Sequence, residues 1–121
     1  MRGARGAIGA RGEAAAVAYL SSHGYEILAT NLRTPYGELD ALCRKEGVLI
    51  AVEVKTRRTR AFGLPEEAVT RAKLAHIAAA LAHYRQTNEV ADAIEQRIDV
   101  VAIDLAATDQ PREIRLIEAV E

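Results

Sequence analysis

Two runs of strand-forming residues, 38–45 and 48–55, are separated only by Glu46 and Gly47. A two-residue loop of an acidic residue and glycine is typical of a tight hairpin, so the sequence predicts an antiparallel pair of strands. A loop of three residues would instead shift the pairing by one residue and turn Asp40 to the opposite face. With the two-residue loop, the register pairs Lys45 with Val48, Arg44 with Leu49, Leu42 with Ala51, Asp40 with Glu53, and Glu38 with Lys55.

Asp40 and Glu53 are two carboxylates that this register places directly opposite each other. Opposed Cβ atoms are roughly 4.5 to 5.5 Å apart, and like charges at that spacing destabilise a sheet. A Mg²⁺ ion would offset the repulsion, since it binds one or two protein carboxylates and keeps positions for water and phosphate. Lys55 lies one side-chain step beyond Glu53, within reach of a metal-bound water or a phosphate oxygen. Two carboxylates and a lysine around Mg²⁺ suit phosphodiester hydrolysis, where the ion polarises the phosphoryl oxygen and activates water.

The alternative is that Asp40, Glu53 and Lys55 are ordinary surface charges. The residues around Glu53 favour the metal site, because apolar side chains occupy both faces of the strand 48–55. That strand is therefore predicted to be central and buried, where an unpaired carboxylate is costly.

Glu13 is a candidate site residue from a different element. The first helix is expected over about 8–23 and ends at Gly24, which suits a left-handed cap. Glu13 precedes the apolar stripe of this helix by three, four and seven positions, at Ala16, Val17 and Leu20. Glu13 is therefore predicted to point toward the core and to join the metal site. The alternative is a favourable charge near the helix start.

The composition predicts one compact domain over residues 1–121, with residues 1–7 flexible, since the chain is half apolar. No stretch approaches the roughly 20 apolar residues of a membrane span, and the start lacks an apolar secretory core. A cytoplasmic protein without a membrane partner is expected. Cys43 is the only cysteine, which excludes an internal disulfide and a cysteine-based metal framework.

The charge is distributed unevenly although the net charge is only −1. Residues 1–73 hold 12 of the 16 Lys and Arg against 8 acids, about +4, and residues 74–121 hold 4 against 9, about −5. Arg57, Arg58 and Arg60 follow Lys55 directly, where phosphate contacts would be needed. Lys73 is a further candidate for a phosphate contact. The alternatives are a solvated basic loop for the arginines and a plain surface position for Lys73.

The order of elements predicts an α/β protein with a mixed sheet flanked by helices. A helix between the third and fourth strands permits a parallel crossover. A polar loop over 56–64 and a turn over 65–69 precede the second helix. Asp99 is expected to cap a strand end and not to be a third metal ligand. The expected elements are a helix at 8–23, strands at 25–33, 38–45 and 48–55, a helix at 70–87, and strands at 98–105 and 112–120.

The motifs together resemble the YraN family of small bacterial proteins over about residues 9–105. That family resembles the PD-(D/E)XK nucleases, whose restriction-endonuclease-like core is similar to archaeal Holliday-junction resolvases. The motifs that carry the resemblance are Gly12-Glu13, Tyr19-Leu20, Gly24-Tyr25, Asn31, Gly37-Glu38-Leu39-Asp40, Glu53-Val54-Lys55-Thr56-Arg57, Gly63-x-Pro65 with Glu67-Ala68-Val69, Lys73, and Arg97-x-Asp99-Val100-Val101.

The resemblance implies an αβββαβ core and a role for each matching residue. Asp40 and Glu53 would be the acidic metal ligands, Lys55 the lysine of the signature, and Glu13 the helix acid that completes some sites. The backbone carbonyl of Val54 would be a further ligand. One position departs from the superfamily signature, because Leu39 stands where the name-giving proline is found.

The resulting functional prediction is an endonuclease that hydrolyses DNA phosphodiester bonds with Mg²⁺, or with Mn²⁺ in its place. Branched or repair DNA is the candidate substrate, and the choice between DNA and RNA stays open. Arg57 and Arg58 would grip the backbone, and a homodimer is expected by analogy with the resolvases. The alternatives are a non-catalytic nucleic-acid-binding or assembly module on the same fold and a metal-stabilised scaffold for a protein partner.

Overall fold

The structure is a computed structural model that describes residues 4–58, 63–108 and 110–121, with side chains described from residue 12 onward. Within these ranges the structure has two helices and five strands, and a short 3₁₀ turn, Pro65–Ala68, lies before the second helix. The elements in chain order are α1 (Ala4–Ser22), β1 (Glu26–Thr34), β2 (Gly37–Lys45), β3 (Val48–Arg57), α2 (Arg71–Thr87), β4 (Gln96–Leu105) and β5 (Pro111–Ile117).

The five strands form one mixed sheet in the order β1-β2-β3-β4-β5. Of the strand pairs described, β3 and β4 alone run parallel, because the chain crosses back over the sheet through α2 between them. One core cluster packs under α1 around Leu20, Val52 and Ile103, and a second packs under α2 around Leu42 and Leu81. The predicted α/β class and the αβββαβ order are confirmed.

The β2–β3 hairpin has the predicted two-residue turn. Glu46 and Gly47 both have positive φ, 51° and 79°, as a primed turn requires. Pairing stops at Ala41–Val52, so the expected pairs of Asp40 with Glu53 and of Glu38 with Lys55 are not part of the ladder. The register is as predicted for Lys45–Val48, Arg44–Leu49 and Leu42–Ala51.

Several element ends differ from the predicted ones. α1 begins at Ala4, four residues earlier than predicted, and Gly24 follows its end with φ 85°. β3 continues through Thr56 and Arg57, which were expected in a loop, because β4 pairs with it as far as Arg57–Asp104. Within the described ranges, neither helix combines the length and the apolar character that a membrane crossing requires.

Gly12 allows α1 to approach β3 closely. A Cβ added at Gly12 would lie 2.1 Å from the Thr56 Cγ2 methyl and 3.3 Å from Thr56 Cβ. Contacts this short force a shift of the helix or of the threonine. Because Glu13 is the next residue, this close contact also determines where Glu13 lies relative to the sheet.

Gly12→Ala is therefore expected to destabilise the protein by about 1 to 2 kcal/mol, although alanine is the better helix former by about 1 kcal/mol. In a Thr56→Ser background, which lacks the Cγ2 methyl, the same substitution is expected to be neutral or stabilising. Urea unfolding of the four proteins in this cycle measures the effect. Equal costs of Gly12→Ala in both backgrounds would show that Thr56 is not the obstacle.

Candidate metal and phosphate site

Asp40 lies where the pairing of β2 with both neighbouring strands is interrupted. The β2–β3 ladder ends one residue away, at Ala41–Val52. On the other side, the described β1–β2 pairs omit Asn31 and Asp40, which are opposite each other by residue count. Asp40 Oδ2 instead accepts a hydrogen bond of 2.8 Å from the backbone N–H of Val54. A hydrogen bond to the Asp40 side chain thus replaces the backbone pairing of β2 and β3 at this point.

Glu53 contributes a buried carboxyl group next to Asp40. The residue is 4% exposed, and its carboxyl group lies within hydrogen-bonding reach of the Asp40 side chain. Lys73 Nζ of α2 is 3.4 Å from Glu53 Oε2. This is an ion-pair distance without hydrogen-bond geometry, so Oε2 has no hydrogen-bond partner among the described residues. One lysine thus faces two acidic groups.

The pKa of Asp40 reflects this environment. Burial has the largest effect, and together with the hydrogen bond and the charge of Glu53 it raises the pKa of Asp40 to about 7. The N–H of Val54 and the charge of Lys73 act in the opposite direction. Asp40 therefore retains a proton at pH values where a free aspartic acid has lost it. Cation binding at the pair would release this proton, so it should strengthen as the pH rises.

A cleft of about 450 Å³ opens between α1 and the sheet beside Asp40. Three of the predicted site residues line it, namely Glu13, Asp40 and Val54, together with Asn31. Small or apolar residues form the remaining wall: Ala14, Ala16, Val17, Thr30 and Ala41. Glu13 therefore faces the site side of α1, as the helical spacing predicted, whereas Glu53 reaches Asp40 from the side that α2 covers.

The two candidate lysines both belong to the α2 side of the sheet. Lys73 was predicted to lie at the surface or to contact phosphate; its side chain is 40% exposed, and its Nζ forms an ion pair with Glu53. Lys55 follows Glu53 by two residues on β3, so its side chain leaves the same face. It is partly buried and lies opposite Ala102 of β4. Lys73, rather than Lys55, is the lysine in contact with a site carboxylate.

The arginine cluster begins at the end of β3. Arg57 is the last residue of that strand and is partly buried, and Arg58 is exposed. Arg60 lies outside the described residues. Arg57 is four positions after Glu53 on the strand, a distance of about 13 Å at the usual rise per residue.

Asp99, which was predicted to cap a strand end, lies inside β4 at its fourth position and accepts hydrogen bonds from three residues. The residue is fully buried. Its carboxylate accepts hydrogen bonds from the hydroxyl of Tyr25 (2.7 Å), from Nε of Arg97 (3.0 Å) and from the N–H of Ala119 (2.9 Å). Burial, and next the hydrogen bond to Asp99, raise the pKa of Tyr25. Asp99 thus joins β4, the residue before β1 and the C-terminal segment.

The donor set of the site fits a hard divalent cation. Among the described residues, no three His, Cys, Asp or Glu side chains converge closely enough to hold an ion together. An ion would therefore take the Asp40–Glu53 pair and complete its shell with backbone, water or substrate oxygens, which is typical of Mg²⁺. Such a cation would give Glu53 Oε2 a partner and would offset the close approach of the two carboxyl groups.

Asn31 is a cleft residue that sequence reasoning named only as part of a motif. Its backbone has φ 51°, a left-handed conformation inside strand β1. Among residues other than glycine, asparagine is one of the few that adopt this conformation readily. An asparagine within a strand-forming run was the available signal, because asparagine is otherwise depleted in strands.

Comparison with known proteins identifies relatives over most of the chain. A family model described as "Uncharacterised protein family UPF0102" matches residues 12–103. A UPF0102 protein of Beutenbergia cavernae is 48% identical over 100 residues, covering 83% of this chain and 84% of the relative. One of Caldicellulosiruptor bescii is 38% identical over 111 residues, covering 92% and 93%. One of Syntrophomonas wolfei is 44% identical over 97 residues, covering 79% and 83%.

Proposed function

The chain belongs to the UPF0102 family, the YraN family that its motifs resemble, and we propose that it is a metal-dependent endonuclease acting on DNA. The proposed cofactor is Mg²⁺, with Mn²⁺ able to substitute. The proposed reaction is hydrolysis of a phosphodiester bond, with branched or repair DNA as the substrate class.

The observation that carries this proposal is the contact between the carboxyl groups of Asp40 and Glu53. Two ionised carboxyl groups in contact at a partly buried position destabilise a fold, and a bound cation would offset that cost. Groups whose pKa is strongly perturbed by burial and by a specific partner, beside a cleft, are frequent at functional sites. Glu13 on the same cleft supports the proposal, since it adds an acidic group from a second element.

In the proposed site, Asp40, Glu53 and the carbonyl of Val54 would hold the ion. The ion would supply Lewis-acid stabilisation of the phosphate and a more acidic water. Glu13 would accept a hydrogen bond from the attacking water on the cleft side. Lys55 would supply positive charge to the phosphate from the strand, and Lys73 would balance the charge of Glu53 from α2.

The basic half of the chain supports DNA as the partner. Residues 1–73 carry an excess of about +4 from 12 basic and 8 acidic residues. Arg57 and Arg58 follow Lys55 on and just after β3, next to the proposed cleavage position. Lysine and arginine contacts to phosphates dominate the affinity of proteins for nucleic acid.

The direct test incubates the protein with labelled duplex, forked and four-way DNA, with Mg²⁺, Mn²⁺ or EDTA. We expect cleavage with either ion and none with EDTA. Glu53→Gln is expected to remove the activity, and Glu95→Gln, an exposed glutamate distant from the cleft, serves as the matched control. Cleavage that survives Glu53→Gln would reject this site. Salt-sensitive DNA binding without any product would support the non-catalytic binding module instead.

Arg57→Ala is expected to weaken DNA binding roughly uniformly across sequences and to lower the slope of log affinity against log salt by about one. The reason is the loss of one phosphate contact beside the proposed site. Fluorescence anisotropy over a salt series measures both quantities. Arg112→Ala in the acidic half serves as the control and should leave the slope unchanged; equal slopes for both variants would remove Arg57 from the interface.

A further inference from the structure

Asn31 connects two acidic residues at the mouth of the cleft. With its side-chain amide oriented to satisfy both neighbours, Asn31 Nδ2 donates hydrogen bonds to Glu38 Oε1 (3.0 Å) and to Glu13 Oε1 (3.2 Å). Glu13 belongs to α1 and Glu38 to β2, so the amide bridges a helix and a strand that are far apart in the chain. A neutral donor between two carboxylates also reduces their mutual repulsion.

The backbone at Asn31 is shaped for this contact. Its φ of 51° lies in the left-handed region, and the described β1–β2 pairs skip Asn31 and Asp40 while the pairs on either side are kept. A residue other than glycine in this conformation costs free energy, and such outliers concentrate at functional sites. The distortion occurs opposite the residue proposed to bind the metal.

We propose that Asn31 is a positioning residue that holds Glu13 at the cleft by bridging it to Glu38. The inference rests on the proposed function, because it assigns Asn31 a role in the same site. Asn31 does not touch the reacting groups in this scheme. It restricts Glu13 to one side-chain arrangement, so that the acid of α1 meets the phosphate and water beside Asp40.

The exposure of Asn31 predicts that this role is separable from folding. Asn31 is exposed, and hydrogen bonds at an exposed position contribute little to net stability. Partners that orient a ligand or a catalytic group, in contrast, change metal affinity or activity by about 10- to 100-fold when removed. Loss of the Asn31 amide should therefore affect the site far more than the fold.

Two substitutions separate the backbone from the side chain. Asn31→Gly keeps access to positive φ and removes the amide. Asn31→Asp keeps the shape but replaces the donor with a third acceptor beside Glu13 and Glu38. Asn88→Asp, at the end of α2, is the matched control for the second change.

The first measurement needs no activity. In protein with ¹⁵N-labelled asparagine, the Asn31 side-chain amide resonance is expected to move in both Glu13→Gln and Glu38→Gln and to stay in place in Glu95→Gln. An Asn31 resonance that is the same in Glu13→Gln and in wild type would overturn the proposal.

The second measurement is a double-mutant cycle on the site. Asn31→Gly should lower kcat about 10- to 100-fold with little change in KM or in the unfolding midpoint, and the double variant Asn31→Gly/Glu13→Gln should be no slower than Glu13→Gln alone. Multiplicative losses, or wild-type rates in Asn31→Gly, would overturn the proposal. If the wild type cleaves nothing, the proposed function fails, and the Asn31 amide resonance in Glu13→Gln and Glu38→Gln then decides by itself whether the bridge exists.

Discussion

Asp40→Asn is expected to lower metal-dependent cleavage by at least about 1000-fold and, at pH 8, to make the protein more stable than the wild type. The loss of activity follows from the loss of one of the two carboxylates that would hold the ion. The gain in stability follows from the neutral amide, whose oxygen can still accept the Val54 N–H and whose nitrogen can donate to Glu53.

The pH dependence of this effect follows from the raised pKa of Asp40. In the unfolded chain this carboxyl ionises near its ordinary pKa of 3.8, whereas in the folded protein it retains its proton up to about pH 7. The folded state binds more protons between these values, so stability is greatest below about pH 4 for this group and is lost as the pH rises toward 7. At pH 8 the cost is about 2 kcal/mol after allowance for partial exposure.

Urea unfolding of wild type and Asp40→Asn at pH 5 and pH 8 measures this prediction. The stability of the wild type should fall more between the two pH values than that of the variant. Adding Mg²⁺ at pH 8 should stabilise the wild type and leave Asp40→Asn unchanged, since only a bound ion contributes linkage free energy. The control is Asp92→Asn, at an exposed aspartate in the segment between α2 and β4, and it should behave as wild type. Equal pH profiles for all three proteins would contradict the carboxyl contact.

Asp99→Ala is expected to destabilise the protein by about 3 to 5 kcal/mol. The substitution removes a fully buried acceptor and leaves three donors without it, on Tyr25, Arg97 and Ala119. Arg97 retains some contact with water, because its side chain is 25% exposed, whereas the Tyr25 hydroxyl is in the buried contact. Tyr25→Phe removes only one donor and should cost about 1 kcal/mol.

Urea unfolding measures these costs, and it also distinguishes a structural role of Asp99 from metal binding. Urea unfolding of Asp99→Ala, with and without Mg²⁺, should show a lower midpoint but the same Mg²⁺-dependent gain as the wild type. A Mg²⁺ response lost together with Asp99 would instead identify this residue as a ligand. A cost below that of Tyr25→Phe would show that the hydrogen-bond network contributes little.

The hairpin shows how far the sequence predicts the site and where prediction ends. Glu46-Gly47 specifies a two-residue turn, and the pairs nearest the turn follow from it because register is transmitted residue by residue. The turn does not specify where pairing stops. The ladder ends at Ala41–Val52, because the Asp40 carboxyl group accepts a hydrogen bond from the backbone N–H of Val54. Whether this bond forms depends on the environment of the carboxyl group.

The contacts of Lys73 and Asn31 could not be predicted from the sequence either. Lys55 has the signature position in the sequence, yet Lys73 is the lysine that contacts Glu53, because the packing of α2 on the sheet brings it there. The bridge from Asn31 to Glu13 and Glu38 joins three elements, and no spacing along the chain indicates it.

The sequence by itself determined the order of the elements, the tight turn, the helical side on which Glu13 lies and the presence of two acids near each other on adjacent strands. These features depend on residues close together in the chain, because hydrophobic periodicity and turn residues determine them within a few positions. Only the tertiary structure decided that the strands part at Asp40, that Lys73 balances Glu53, and that Asp99 is a buried structural acceptor. Those outcomes depend on contacts between residues distant in the chain, whose energies are set by burial and by the partners that packing supplies.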